Sequence, residues 1–299
     1  MALKLDIPGA HFDSELRTTM VNATVNAELT IVLRVWLQKV DAKTAGYTYP
    51  QFHDASDPNP AKMFDIRDWD EKGKHSTGYR GEYADFTHRY QLDGQSFWTG
   101  KYWLQTPNDY AELDWPAKPA AATHRPNIWC RFRLELANSL ADHPHKTIQL
   151  IRLDRKSGTS TTFRSDDSHY DNFDLQTATY NHILDDKGKE HTYYQRTFVH
   201  EIGHALGLAH IGVLLGNPVA VAHPNGQEAY GYGTLTPTQS ANIMGYGMNL
   251  TAIDAAPWVK AVAAHTGTAE AKWKVFMKDH GHWPHPRPLK TIPMGPPGP

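Results

Sequence analysis

Between Glu28 and Val40 the apolar residues fall at every second position. Leu29, Ile31, Leu33, Val35 and Leu37 share one side and Thr30, Arg34 and Gln38 the other, which is the period of a strand with one buried face. The run NIWCRFRLELA repeats the pattern, with Cys130, Phe132, Leu134 and Leu136 alternating with Arg131, Arg133 and Glu135, and Lys146 to Leu153 reads as a third strand. The aromatic stretch from Tyr83 to Trp103 predicts one or two helices broken near Gly94, its rings serving as core. Phe198, Ile202 and Ala205 recur at helical spacing and predict an amphipathic helix with that face inward. Asp254 to His265 and Thr268 to Asp279 predict two short helices with polar starts and a glycine near each end. The stretch from about 41 to Arg80 reads as a long irregular connection, and the tail from Gly281 as an extended proline-rich segment. Three strands ahead of one strong helix place the chain in the α/β class, as an α+β domain.

Composition narrows the picture without naming a partner. A chain of 299 residues that is 40% hydrophobic buries a substantial core. A formal net charge of −2 gives no surplus for drawing the molecule to nucleic acid or anionic lipid. Cys130 is the single cysteine, so no intramolecular disulfide forms, which suits a reducing compartment; the strand pattern predicts that it packs as a small apolar residue. No stretch approaches the roughly 20 apolar residues of a membrane span. Lys4, Asp6, Asp13 and Glu15 interrupt the N-terminal sequence where a signal peptide would be apolar. The compartment stays open between the cytoplasm and export by an effector-type route.

Chemistry enters with HEIGHALGLAH, from His200 to His210. Residues four apart on a helix share a face, so His200 and His204 aim their imidazoles at one point. Glu201, next to the first ligand, reaches a water on the metal without taking a coordination position, as a general base must. Gly207 is suited to the left-handed turn that ends a helix and brings His210 round as third ligand. Three neutral imidazoles leave Zn2+ with its full charge, acidifying a bound water for hydrolysis of a carbonyl. With 18 histidines in the chain, the five fixed positions would arise by accident on the order of once in several thousand such chains.

This run resembles the signature of the metzincin metallopeptidases, and a second feature agrees with it: ANIMGYG, with Met244 where that family carries a methionine turn beneath the zinc. The resemblance implies His200, His204 and His210 as ligands of a catalytic Zn2+, Glu201 as base and Met244 as a floor. It also implies that Tyr246, like a tyrosine of the astacin and serralysin groups, contacts the zinc and then hydrogen-bonds the developing oxyanion. The specific likeness runs from about Tyr193 to Leu250. Serralysin calcium repeats, astacin disulfides and a matrixin propeptide cysteine have no counterpart here. The implied fold is two-lobed: residues 1–211 with a twisted mixed sheet and the zinc helix, residues 212–280 with the methionine turn and a mostly helical or irregular remainder, and the tail 281–299. The expected activity is that of a zinc endopeptidase acting on a protein or peptide, with neither nucleic acid nor membrane as partner. A bacterial effector or toxin role would add an inhibitor or immunity protein. The competing reading is a non-catalytic zinc-binding interaction protein on the same fold.

A weaker constellation comprises His169, Asp171, His182 and His191, in an order that resembles the structural zinc loop of matrixins at shorter spacing. It could hold a second Zn2+, or Asp166, Asp167 and Asp174 a Ca2+; the sequence favours a solvated acidic loop instead. His280, His282 and His285 lie among Gly and Pro, with nothing to hold them together.

Overall fold

The computed structural model describes residues 4–18, 27–40, 66, 67, 69, 83–105, 107, 127–153, 165, 168–216, 232 and 235–277. These form a mixed α/β arrangement dominated by a nine-stranded sheet with parallel and antiparallel pairs. An N-terminal hairpin, β1 (Lys4–Ile7) and β2 (Asp13–Thr18), leads antiparallel onto β3 (Ala27–Lys39), the long strand foreseen from its alternation. Further along come β4 (Ile66–Arg67), the helix α1 (Tyr83–Trp98), β5 (Tyr102–Gln105) and β6 (Asn127–Leu136). β7 (Lys146–Leu153) and β8 (His169–Asp171) complete this half. β3 runs parallel to β6 and, through its last residues, to β7, while β8 adds in parallel beside β7.

One face of this sheet is apolar and the other charged. Leu29, Ile31 and Leu33 join Cys130, Phe132 and Leu134 in a core shared with Phe86, Tyr90, Trp98, Phe198 and Trp258. Among the charged residues of the strands, Glu28 pairs with Arg131 at 3.3 Å and Glu15 with Arg133 at 2.6 Å. Cys130 is buried in that core, and burial pushes its thiol pKa up.

The aromatic stretch folds as one helix, not a broken pair, and then as a strand. Gly94 sits inside α1 because the helix carrying Ile202 crosses there: a Cβ at Gly94 would lie 2.7 Å from Ile202 Cδ1 and 3.2 Å from Leu134 Cδ2. The glycine serves close approach, and Tyr102 and Trp103 beyond it pair with β6 or with the last strand. In the foreseen connection, Trp69 is buried and donates its indole N–H to Leu150 O at 3.0 Å; most of residues 41–80 lie outside the described residues. The proline-rich tail with His280, His282 and His285 lies outside them too.

After the sheet, β9 (Thr177–Leu184) and β10 (Glu190–Arg196) form a separate antiparallel hairpin that runs directly into α2 (Thr197–Ala205). Two one-turn helices follow, α3 (Ile211–Leu214) and α4 (Pro237–Ser240), and then α5 (Ala256–Thr266), which packs on β2 and β3. The helix expected over Thr268 to Asp279 is instead a single 3-10 turn, Glu270–Lys272, and the strand β11 (Lys274–Met277). β11 pairs antiparallel with β5, and the ladder satisfies backbone groups that a short isolated helix would leave open. No helix among the described residues is long and apolar enough to cross a membrane.

Candidate metal centre

α2 holds the first two histidines, and the way it ends holds the third. Gly207 takes φ +88°, a conformation that glycine adopts without strain. Its N–H reaches His204 O at 2.8 Å and the N–H of Leu208 reaches Gly203 O at 3.0 Å, the paired bonds of a Schellman ending. The chain then turns back and places His210 beside the helix. The Nε2 atoms of His200, His204 and His210 lie 3.1, 3.1 and 3.3 Å from one another. Tetrahedral zinc with its usual Zn–N bonds sets ligand nitrogens about 3.3 Å apart. Among the described residues this is the one group of three ligand-type side chains close enough to hold a metal ion.

The far sides of the rings settle what the near sides are. His200 Nδ1 lies 2.6 Å from Ile243 O and His204 Nδ1 2.8 Å from Leu208 O. A carbonyl only accepts, so both Nδ1 atoms carry protons, and neutral rings then present bare lone pairs at Nε2. Burial, reinforced by the neighbouring His204 and His210, pushes the His200 pKa down to about 3, so that ring is neutral. Lone pairs converging within 3.3 Å repel unless a cation sits among them. The donor set therefore fits a divalent metal of the zinc type.

Beneath the ligands lies the turn that carries Met244. Met244 is fully buried, and its sulfur lies where a Cβ on Gly203 would have to go, so the glycine in the middle of the motif lets helix and turn approach. Met244 O accepts the N–H of Ile211 at 2.8 Å, tying the residue after His210 to the same turn. Asn242 organises the turn from inside: its Oδ1 accepts from Met244 N at 2.7 Å, and its Nδ2 donates to Asp254 Oδ2 at 2.7 Å. Burial raises the Asp254 pKa, while hydrogen bonds from Thr251 and Asn242 pull it back.

Glu201 is buried beside His200, and its charge reaches two buried phenols, Tyr90 and Tyr170, whose pKa values are raised first by desolvation and further by that carboxylate. Tyr246 approaches the ligands through another ring. Tyr232 stacks on His210 at 4.1 Å between centroids and on Tyr246 at 4.5 Å, interposed between the two. Tyr180 and Tyr193 flank Tyr246 at 5.8 and 6.4 Å, and burial raises its pKa and keeps the phenol protonated.

The weaker constellation does not assemble. His182 projects from the hairpin toward Glu190 at 2.8 Å, and His191 pairs with Asp185 at 2.8 Å. His169 meets the hydroxyl of Ser168, and Asp171 Oδ1 accepts from Phe173 N at 2.6 Å. Asp174 accepts from the Asp171 N–H at 2.7 Å, closing a local turn. Asp166 and Asp167 lie outside the described residues.

The sequence did not mark Tyr232, which stands between His210 and Met244 in a run with no motif, or Gln195, a lone polar residue with no period. No protein-family model, curated protein or solved structure matches the chain.

Proposed function

We propose that the chain is a zinc-dependent endopeptidase of the metzincin type, with the sheet and α2 as an upper lobe and the Met244 turn closing the site from below. The observation that carries this reading is the convergence of three histidine Nε2 atoms with a buried carboxylate on the residue after His200. A catalytic site gives Glu201, next to His200, the task of a general base. Bound zinc would supply Lewis-acid polarisation of a scissile carbonyl and an acidified water. Glu201 would accept the proton of the attacking water and pass it to the departing amine. Tyr246, a protonated phenol held among tyrosine rings, donates toward the oxyanion once Tyr232 yields the space between.

The test is cleavage of a peptide library by zinc-loaded protein, with a chelator control and the Glu201→Gln variant. Chelator-sensitive cleavage is expected, falling by about 10²- to 10⁴-fold in the variant, the usual contribution of a general base, with zinc content unchanged. If wild type and Glu201→Gln leave every peptide intact to the same degree while both bind zinc, the chain is the non-catalytic zinc-binding interaction protein instead.

A further inference from the structure

We infer that Gln195 is the positioning residue that couples the zinc helix to the Met244 turn and fixes both His200 and Tyr246. It is the buried residue of β10, 2% exposed, and it stands just before α2 begins. Its Nε2 lies 2.9 Å from Ile243 O, 2.9 Å from Gly245 O and 3.2 Å from Gly247 O. Three carbonyls around one atom leave no choice of amide orientation: the NH2 end faces them, since the oxygen end would meet only acceptors.

Each of those carbonyls has a place in the site. Ile243 O also takes the Nδ1 proton of His200, so Gln195 fills the second lone pair of the very group that sets that ligand's tautomer and tilt. Gly245 and Gly247 flank Tyr246, so holding both their carbonyls holds the backbone that presents the phenol. The 3.3 Å approach of Gln195 Nε2 to His200 Nδ1 is a contact between two donors, tolerable because their hydrogens go to the shared carbonyls. Arg196 continues the docking, its N–H directed at Met248 Sδ at 3.2 Å. Hydrophobic volume is not what the position needs, because a methionine would supply that. What it needs is two hydrogens aimed at a turn.

The inference rests on the three histidines binding metal and goes beyond the peptidase reading, so the readouts are chosen to stand apart from peptide cleavage. Gln195→Met keeps the volume and removes both hydrogens; Gln195→Glu keeps the shape and turns oxygens onto the carbonyls. Zinc affinity is measured by competition with a chromophoric chelator, and ligand geometry by the visible spectrum of the cobalt(II)-loaded protein. Gln195→Met is expected to bind zinc about 10- to 100-fold more weakly, as outer-shell losses do, and to shift the cobalt bands. Gln195→Glu is expected to be weaker again. On any cleaved peptide, kcat falls more than KM rises. Should Gln195→Met not fold by circular dichroism, the comparison is made on Gln195→Glu. Wild-type zinc affinity and an unshifted cobalt spectrum in the folded variant would overturn the role, even if the enzyme proves an active peptidase. A protein that binds zinc without cleaving anything would leave it standing.

Discussion

Single atoms decide most of what this site is. A carbonyl behind a ring forces a proton onto one nitrogen and bares the other, so His200 and His204 present Nε2 lone pairs of the kind a metal takes. Gly203 shows the same economy. With the Met244 sulfur where its side chain would stand and Trp98 close by, an added methyl forces Met244 aside in a fully packed space. Gly203→Ala is therefore expected to destabilise the fold by about 1–3 kcal/mol, the usual cost of overpacking, and to weaken zinc binding as helix and turn part. Urea unfolding and a zinc titration on the same variant check both effects. At this scale the sequence showed which histidines converge: helical spacing brings His200 and His204 together, and the Gly207 turn beyond the helix brings His210 to them. It did not show Gln195 or Tyr232, whose contacts with the Met244 turn and with His210 and Tyr246 follow no local period.

Among the elements, those with one buried face were legible and those without were not. β3, β6 and β7 alternate because one side meets the core. β9 and β10 carry mixed polar and aromatic residues on a hairpin with little burial, so no period announced them. β5 hid inside an aromatic run that favours a helix as readily as a strand, and β11 is too short to set a pattern against its neighbours. What fixes the hairpin is its turn. Asp185 Oδ1 accepts from the N–H groups of Lys187 and Lys189, and Oδ2 meets His191. The His191 contact first, and the Lys189 N–H next, pull the Asp185 pKa from 3.8 down to about 2. A depressed carboxylate contributes stability above its ordinary value and loses it as pH falls through the folded value. Asp185→Asn is thus expected to be less stable than wild type near neutral pH. The gap closes as the medium is acidified from 3.8 toward about 2, followed by denaturant unfolding at each pH. A gap that stayed constant down to that pH would show that the carboxylate charge contributes nothing.

For the whole molecule, the α/β class was readable from three strands and one helix, whereas the mixed pairing and the order of the strands were not. β3 is flanked by strands from both earlier and later in the chain, and the pairing of β11 with β5 joins segments that no local pattern relates. The three histidines lie where these distant parts meet, since α2, the Met244 turn and α5 share one core. Zinc bound there should stabilise the whole cooperative unit. At a thousandfold excess over its Kd the expected gain is about 4 kcal/mol, seen as a rise in Tm on adding zinc and its reversal by chelator. An unchanged Tm would mean that the histidines take no metal in the folded state.

Leu208 carries a consequence for how a metal bound as proposed would leave. Its N–H closes the end of α2 and its carbonyl holds the His204 ring, so the same residue ends a helix and orients an imidazole. Loosening that single turn would free His204 to rotate and slacken the chain leading to His210 in one motion. Release of an ion held by the three histidines would then be an opening of local structure rather than the breaking of bonds one after another. The lifetime of a loaded protein would follow how often one glycine-hinged turn comes undone.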